Sequence, residues 1–252
     1  SSQGSTSWDV YTRLYAANGT ALTDETLVNS YTSLSQDHPS VTAMSDGGYI
    51  IAWSGNGASG SGADIWFQRY TASGVKFGSD TRVNTTIYGD QSAPSITELD
   101  DGGFVVTWYG RSSGNYDEIR MQRYNAAGSA VGSDSRVDSN SIASDTLASP
   151  KVAGLADGGW VVVWQTTGYV APDPYPMGPP GMPQPTQEGP TYVYAQVYGA
   201  DGVAVAGPIT VSNGQGSAPS VIATDTGFSV TWVSRLNGNR DIYQRNFVTP
   251  GL

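Results

Sequence analysis

Apolar residues occur along this chain in short unbroken runs that follow a tight turn and end in tryptophan. The run LDDGGFVVTW (Leu99–Trp108) recurs as MSDGGYIIAW (Met44–Trp53) and LADGGWVVVW (Leu155–Trp164), and more loosely as ATDTGFSVTW (Ala223–Trp232). Because the runs do not alternate apolar with polar residues, both faces of each predicted strand should be buried. The Asp-Gly-Gly in front supplies the positive φ that a two-residue hairpin requires. The pattern predicts antiparallel sheets stacked face to face.

The runs mark an internal repeat. Their final tryptophans are spaced 55, 56 and 68 residues apart, and a proline precedes each at nearly the same spacing. Each unit contains four strand-like pieces, which in the second unit are DIWFQRY, TRVN, PSITEL and GFVVTW. We predict a single repeat domain over residues 1–252, with units at about 8–62, 63–116, 117–190 and 191–252 and a Pro-rich insertion at 169–190.

Four-stranded antiparallel units that bury both faces against their neighbours are typical of a β-propeller. The sequence therefore predicts an all-β fold with almost no helix and four blades, and it leaves open five blades or a linear β-repeat array. The QRY-type strand occurs five times and the other types four times. We expect the N-terminal segment to complete the last blade and one QRY-type strand to lie at an edge or pair with another chain. Trp53, Trp108, Trp164 and Trp232 are expected in the core.

The combination L-x-D-G-G-F-V-V-x-W, Q-R-Y-x-x-x-G and G-S-D-x-R-V-N resembles the tandem repeats of very large secreted bacterial proteins, which are often adhesin-like and RTX-associated. The resemblance covers residues 9–247 apart from the insertion and is clearest in Asp64–Trp108 and Glu118–Trp164. It implies a secreted or cell-surface location more firmly than any ligand. The RTX nonapeptide G-G-x-G-x-D is absent from the chain, so its calcium sites are not carried over.

Charge and composition narrow the possible partners. A net charge of -10 disfavours nucleic acid and anionic membrane surfaces. No cysteine is present, which excludes thiolate catalysis and Cys-ligated zinc, and no apolar run is long enough to insert into a membrane. The acidic loops around Asp100 and over Ser113–Glu118 suggest structural calcium, although neither has EF-hand spacing, and no other cofactor is expected.

Two sets of polar residues have ordinary structural explanations. His38 is the only histidine, and we expect it to be an exposed or satisfied loop residue. Asp80 and Arg82 lie two positions apart on a strand, as do Asp134 and Arg136, and both pairs are expected to be structural ion pairs. No carboxylate pair stands out as catalytic.

The aromatic residues and the insertion suggest ligand binding. Eight of the fourteen prolines lie between Pro172 and Pro190, where they predict stiff, extended chain able to present aromatic side chains. The sequence suggests that a neutral glycan stacks on aromatic faces in clefts between blades or beneath this segment. The candidate ligand-binding residues are Trp66, Tyr109, Tyr116, Tyr169 and Tyr175.

The sequence favours an extracellular, non-catalytic binding or adhesion module that recognises carbohydrate in a lectin-like manner, with a glycan or a surface protein as its partner. Two alternatives remain: a polysaccharide-degrading hydrolase or lyase on a propeller scaffold, and a structural spacer of a giant surface protein. An unpaired edge strand would also allow the chain to form homo-oligomers.

Overall fold

The structure is a computed structural model that describes residues 7–56, 62–111, 116–138, 146–168, 189–205, 207–212, 214–235 and 239–248. These residues form strands and turns without any helix, which confirms the predicted all-β class. Over the same ranges, therefore, no helix is long and apolar enough to span a membrane.

Hydrogen bonds arrange the described strands into five antiparallel sheets. The N-terminal pair is formed by β1 (Tyr11–Thr12) and β2 (Thr26–Leu27). Sheet A contains β3 (Gln36–Ala43), β4 (Tyr49–Asn56), β5 (Ala63–Tyr70) and β6 (Lys76–Arg82). Sheet B contains β7 (Ser92–Glu98), β8 (Phe104–Arg111), β9 (Asp117–Tyr124) and β10 (Ala130–Arg136). Sheet C contains β11 (Thr146–Gly154), β12 (Trp160–Thr167), β13 (Thr191–Tyr198) and β14 (Ile209–Thr210). Sheet D contains β15 (Gly216–Thr224), β16 (Gly227–Ser234) and β17 (Asp241–Val248).

The Asp-Gly-Gly sequences form the hairpin tips between the first two strands of sheets A, B and C. In sheet B the Asp101 carboxylate accepts a hydrogen bond of 2.8 Å from the backbone N–H of Gly103, and the intervening Gly102 has a φ of 73°. A side chain at position 102 would be strained at that φ, so the recurring glycine is required by the turn. The repeated tripeptide is therefore explained by the fold.

Apolar side chains fill the space between consecutive sheets, as the unbroken runs predicted. One core cluster joins the N-terminal segment to sheet A, and three more join A to B, B to C and C to D. The four repeat tryptophans, Trp53, Trp108, Trp164 and Trp232, are all buried in these clusters. The central strands β4, β8 and β12 are therefore covered on both faces, and burial between sheets is the main source of stability.

The N-terminal segment does not complete the last sheet, so that expectation was wrong. Its strands β1 and β2 pair only with each other among the described strands, and Val10 and Val28 pack against sheet A. The local reason is a side-chain clamp: Asn29 accepts a hydrogen bond of 2.9 Å from the Val10 backbone N–H, as Asn84 does at 2.8 Å from Ile65. This clamp holds the two strands of the N-terminal pair together, as Asn84 does at the start of β5.

The face of sheet D that points away from sheet C carries both polar and exposed apolar residues. Ser229 and Gln244 stand where sheet B has the buried residues Val105 and Met121. Ile222, Ile242 and Val248 on the same face are 62%, 81% and 74% exposed. Strand β17 has no fourth-strand partner in the described part of the chain.

The charged residues of the outer strands do not form the predicted ion pairs Asp80–Arg82 and Asp134–Arg136. Asp134 accepts a hydrogen bond of 2.9 Å from Arg120 on the neighbouring strand β9. Arg136 instead binds Asp138 at 2.8 Å. Residues two apart on a strand share a face, but cross-strand neighbours lie closer, and this favours Arg120 over Arg136 as the partner of Asp134.

We predict that Asp134→Asn lowers the unfolding free energy by about 1–2 kcal/mol at pH 7. Burial alone would raise the pKa of Asp134, but hydrogen bonds from the Thr85 backbone and from Arg120 hold it below its ordinary value. This stabilisation is complete above about pH 4, where the unfolded chain's carboxyl is ionised, and disappears as the pH falls through the lower pKa of the folded state. Urea unfolding between pH 7 and pH 3 should show the two proteins converging on acidification. Asp80→Asn is the control, because the described residues place no arginine beside Asp80 as Arg120 lies beside Asp134. A stability difference between the wild type and Asp134→Asn that does not change with pH would contradict the prediction.

Candidate functional site

The two ends of the sheet stack carry different kinds of residues. One end holds the Asp-Gly-Gly hairpin tips, which repeat from sheet to sheet. The opposite end, which we call the loop end, contains residues 28–36, 54–56, 62–64, 83–91, 109–111 and 116–118, and several of its side chains differ between sheets. The insertion also starts and finishes there, since Gly168 donates a hydrogen bond of 3.0 Å to the Pro190 carbonyl. Residues that vary on a rigid scaffold are the usual carriers of function.

A cavity of about 280 Å³ opens at the loop end between the N-terminal segment and sheet A. This volume is near the lower limit of small-molecule pockets, so it suits one ring-sized unit of a ligand. Its walls combine two indoles, one carboxylate, three side-chain amides, a phenol and a serine. The lining residues are Asn29, Ser30, Tyr31, Gln36, Trp53, Asn56, Trp66 and Asp80.

The two tryptophans of the cavity are cross-strand neighbours that are fixed by hydrogen bonds. Trp53 on β4 pairs with Trp66 on β5 in the sheet register. The Trp53 indole N–H donates to Gln36 Oε1 at 3.2 Å, and the Trp66 indole N–H donates to the Gly55 carbonyl at 3.2 Å. Trp53 is buried, whereas Trp66 is partly exposed. Trp66 is therefore a rigid aromatic face that a ligand can reach.

The carboxylate of the cavity also anchors the neighbouring loop. Asp80 accepts a hydrogen bond of 3.0 Å from the Ser30 backbone N–H. Asn29 holds the same loop from within, since its side-chain amide donates to Asp9 at 2.8 Å and to the Tyr31 carbonyl at 3.0 Å. These bonds preorganise the polar wall of the cavity opposite the indoles.

A second polar cluster lies at the loop end of sheet B. The Tyr109 hydroxyl donates a hydrogen bond of 2.7 Å to Asp117, and Arg111 donates to the same carboxylate oxygen at 3.2 Å. Burial, together with this hydrogen bond to Asp117, raises the pKa of Tyr109, although Arg111 acts in the opposite direction. The Tyr109 hydroxyl therefore stays protonated and acts as a hydrogen-bond donor to Asp117.

A third cluster at the loop end of sheet A contains an aspartate, a histidine and a serine. The Ser54 hydroxyl donates to Asp37 at 2.6 Å, and His38 Nδ1 lies 2.7 Å from the same oxygen and 3.4 Å from Ser54 Oγ. A catalytic triad needs the serine and the aspartate on opposite ring nitrogens. Because both approach Nδ1, Ser54 is not an activated nucleophile. The Asp37 side chain is 51% exposed and can meet a ligand.

The sequence-predicted ligand residues fall in different places. Trp66 lines the cavity, Tyr109 belongs to the Asp117 cluster, and Tyr116 is 48% exposed next to Asp117 in the chain. Tyr169 and Tyr175, with most of the insertion, lie outside the described residues. Sequence reasoning missed Gln36, Asn56 and Tyr31, and it treated Asp80 only as part of an ion pair. The available signal was Trp66, which stands where sheet B has Arg120.

The predicted structural calcium finds no cluster of acidic side chains in the part of the chain that the structure describes. No group of three or more histidine, aspartate or glutamate side chains converges there to hold a metal ion. The Asp101 carboxylate, in one of the predicted acidic loops, accepts hydrogen bonds from the Gly103 backbone and, at 2.8 Å, from Arg123. Structural calcium thus stays a prediction from the sequence.

Comparison with solved structures identifies the fold. The chain is similar to an α-L-arabinanase from Penicillium chrysogenum complexed with arabinobiose, with a TM-score of 0.58 and 14% identity over 93% of this chain and 70% of that one. It is also similar to an endo-arabinase from Bacteroides thetaiotaomicron (TM-score 0.51, 14% identity, 85% and 77% of the chains). A GH93 α-L-arabinofuranosidase from Fusarium graminearum in complex with arabinobiose matches with a TM-score of 0.51 and 12% identity over 84% of this chain and 64% of that one. No family model and no curated protein matches the sequence.

These similarities support the predicted propeller-type architecture and correct the predicted function. The expected non-catalytic adhesion or lectin-like module is overturned, because the solved structures named above are two arabinanases and an arabinofuranosidase. The shared fold alone does not identify the residues that act.

Proposed function

We propose that this protein is a polysaccharide-degrading hydrolase built on a propeller scaffold. The observation that carries the proposal is the loop end, where the indole of Trp66 and the carboxylate of Asp80 line one cavity, and where Asp37 and Asp117 have no equivalent in the other sheets, on a fold shared with arabinan-degrading enzymes. The repeated features of the chain are explained by the fold itself. The features that differ between sheets need another explanation, and hydrolysis of a glycan supplies one.

Glycoside hydrolysis needs two carboxyl groups, one that protonates the leaving oxygen and one that acts as base or nucleophile. Asp117 suits the anionic role, because a guanidinium and a phenol both donate to it. We assign the proton-donating role to Asp37, whose side chain is 51% exposed and whose described polar neighbours are Ser54 and His38 rather than an arginine. Asp80 is placed to bind a sugar hydroxyl in the cavity.

We also propose how the sheets correspond to blades. Sheets A to D supply four blades, in agreement with the four repeats of the sequence. The N-terminal pair supplies the outer half of a fifth position, since its two strands correspond to the third and fourth strands of sheet A. A secreted or cell-surface location fits an enzyme whose substrate is a polymer outside the cell.

The test is a reducing-end assay of the whole purified chain on arabinan, arabinoxylan, galactan and homogalacturonan. We expect new reducing ends from at least one neutral polymer, without the ultraviolet-absorbing unsaturated sugar that a lyase releases. Absence of cleavage of every polymer by protein that melts cooperatively would overturn the proposal. Appearance of the unsaturated product would replace the hydrolase by a lyase.

A further inference from the structure

The cavity between the N-terminal segment and sheet A has a counterpart at the next junction, where a charged side chain fills the corresponding space. Trp66 on β5 corresponds to Arg120 on β9, each directly following a buried isoleucine. The Arg120 guanidinium donates to Glu118 at 2.7 Å and to Asp134 at 2.9 Å. Between sheets A and B, therefore, this position is occupied by the protein's own cation.

The backbone framework around the two positions is the same. Asp80 accepts a hydrogen bond from the Ser30 N–H at 3.0 Å, and Asp134 accepts one from the Thr85 N–H at 2.9 Å. The difference lies in the cation. Asp134 has Arg120, whereas Asp80 makes no salt bridge within the described residues. Because sheet A has tryptophan where sheet B has arginine, a carboxylate and an indole both face the cavity.

At the third junction the corresponding aromatic residue packs against a core tryptophan. Tyr194 occupies the corresponding position in sheet C, and its ring stacks on Trp164 at 5.9 Å. Pro208 stands where sheet A has Asp80. Among these three junctions, a partly exposed indole occurs together with a carboxylate that lacks a cation partner at the junction between the N-terminal segment and sheet A.

We propose that this cavity is a subsite for one uncharged sugar unit of the substrate and that Trp66 and Asp80 together reject acidic sugars; this proposal rests on the proposed function. The C–H face of a sugar ring stacks on an indole, and its hydroxyl groups donate to a carboxylate. A uronic acid in the same place would set its carboxylate against Asp80. Arg82 lies opposite Trp66 in the register, but its guanidinium faces Asp64 at 3.8 Å and does not line the cavity.

The experiment uses calorimetric titration of the whole chain with a matched pair of probes. Galactobiose and digalacturonate of the same linkage differ only at C6, and arabinobiose is a second neutral probe. We expect a neutral probe to bind at least tenfold more tightly than digalacturonate. Trp66→Arg, which installs the side chain of the next junction, should weaken binding of the neutral probes at least tenfold. Asp80→Asn should reduce the discrimination against digalacturonate.

Trp8→Ala is the matched control, because Trp8 is an exposed tryptophan of the same segment that does not line the cavity. Its affinity for the neutral probes should equal that of the wild type. Equal binding of neutral and acidic probes by the wild type, no binding of either neutral probe, or full binding by a folded Trp66→Arg variant would each overturn the subsite. Probe binding without hydrolysis of any polymer would leave the subsite in place and overturn only the proposed function.

Discussion

Asp117→Asn and Asp37→Asn are each expected to lower kcat for polysaccharide hydrolysis at least about a hundredfold, the loss that accompanies removal of a general acid or base. Asparagine keeps the shape and the acceptor oxygen of the side chain, so Tyr109 and Ser54 can still donate to it. It cannot take or give up a proton. The measurement is the initial rate of reducing-end release at saturating substrate, with the melting temperature recorded for each variant.

Asp80→Asn provides the contrast within the same end of the molecule. Because Asp80 is assigned to binding, its replacement should raise KM and change kcat little. Asp157→Asn, at a hairpin tip on the opposite end, is the stability control and should change neither constant. If Asp37→Asn and Asp117→Asn both keep the wild-type kcat, the assignment of the two catalytic roles is wrong.

Gly110→Thr is expected to lower the unfolding free energy by about 1–3 kcal/mol, the usual cost of overpacking a buried site. A Cβ at Gly110 would overlap the side-chain carbonyl oxygen of Gln91. Gln91 is buried and cannot move freely, because its Oε1 accepts a hydrogen bond of 3.0 Å from the Trp108 indole N–H. Sheet A contains the same arrangement with Gln36 and Gly55.

Sheet C shows how the two positions compensate each other. Leu147 and Thr166 stand there in place of the glutamine and the glycine, and the Trp164 indole N–H has no hydrogen-bond partner among the described residues. Gln91→Leu alone should therefore cost about 1–3 kcal/mol through the unpaired Trp108 N–H. The double variant Gln91→Leu/Gly110→Thr should be more stable than the sum of the single losses predicts, by at least about 1 kcal/mol. Additive losses in urea unfolding would show that the two positions are independent.

Much of the fold could be predicted because the repeated features follow from local backbone preferences and from the local pattern of apolar residues. Asp101, Gly102 and Gly103 specify a hairpin by their own backbone preferences, and the unbroken apolar run before Trp108 requires cover on both faces. The grouping of strands could not be predicted in the same way. It depends on which edges meet across long stretches of chain, so the sequence suggested that the N-terminal segment would join sheet D, whereas Asn29 and Val28 hold it against sheet A.

The candidate site was predictable only in part. Trp66 could be nominated from its residue type, but Asp80 was interpreted with Arg82 because the same spacing recurs at Asp134 and Arg136. In the folded chain the ion-pair partner of Asp134 is Arg120 on the neighbouring strand. Trp66 stands at the equivalent position beside Asp80, so Asp80 has no cation there. A repeated spacing can therefore conceal a difference in chemistry.

The sequence by itself determined the repeat, the hairpins and the burial of the four tryptophans, because these follow from turn preferences and from apolar area that must leave water. Only the tertiary structure decided the order of the stack, the cavity beside Trp66 and the convergence of unlike polar residues at the loop end. Those features depend on contacts between sheets, where Trp66 lines a cavity and Arg120, at the equivalent position, is held by two carboxylates.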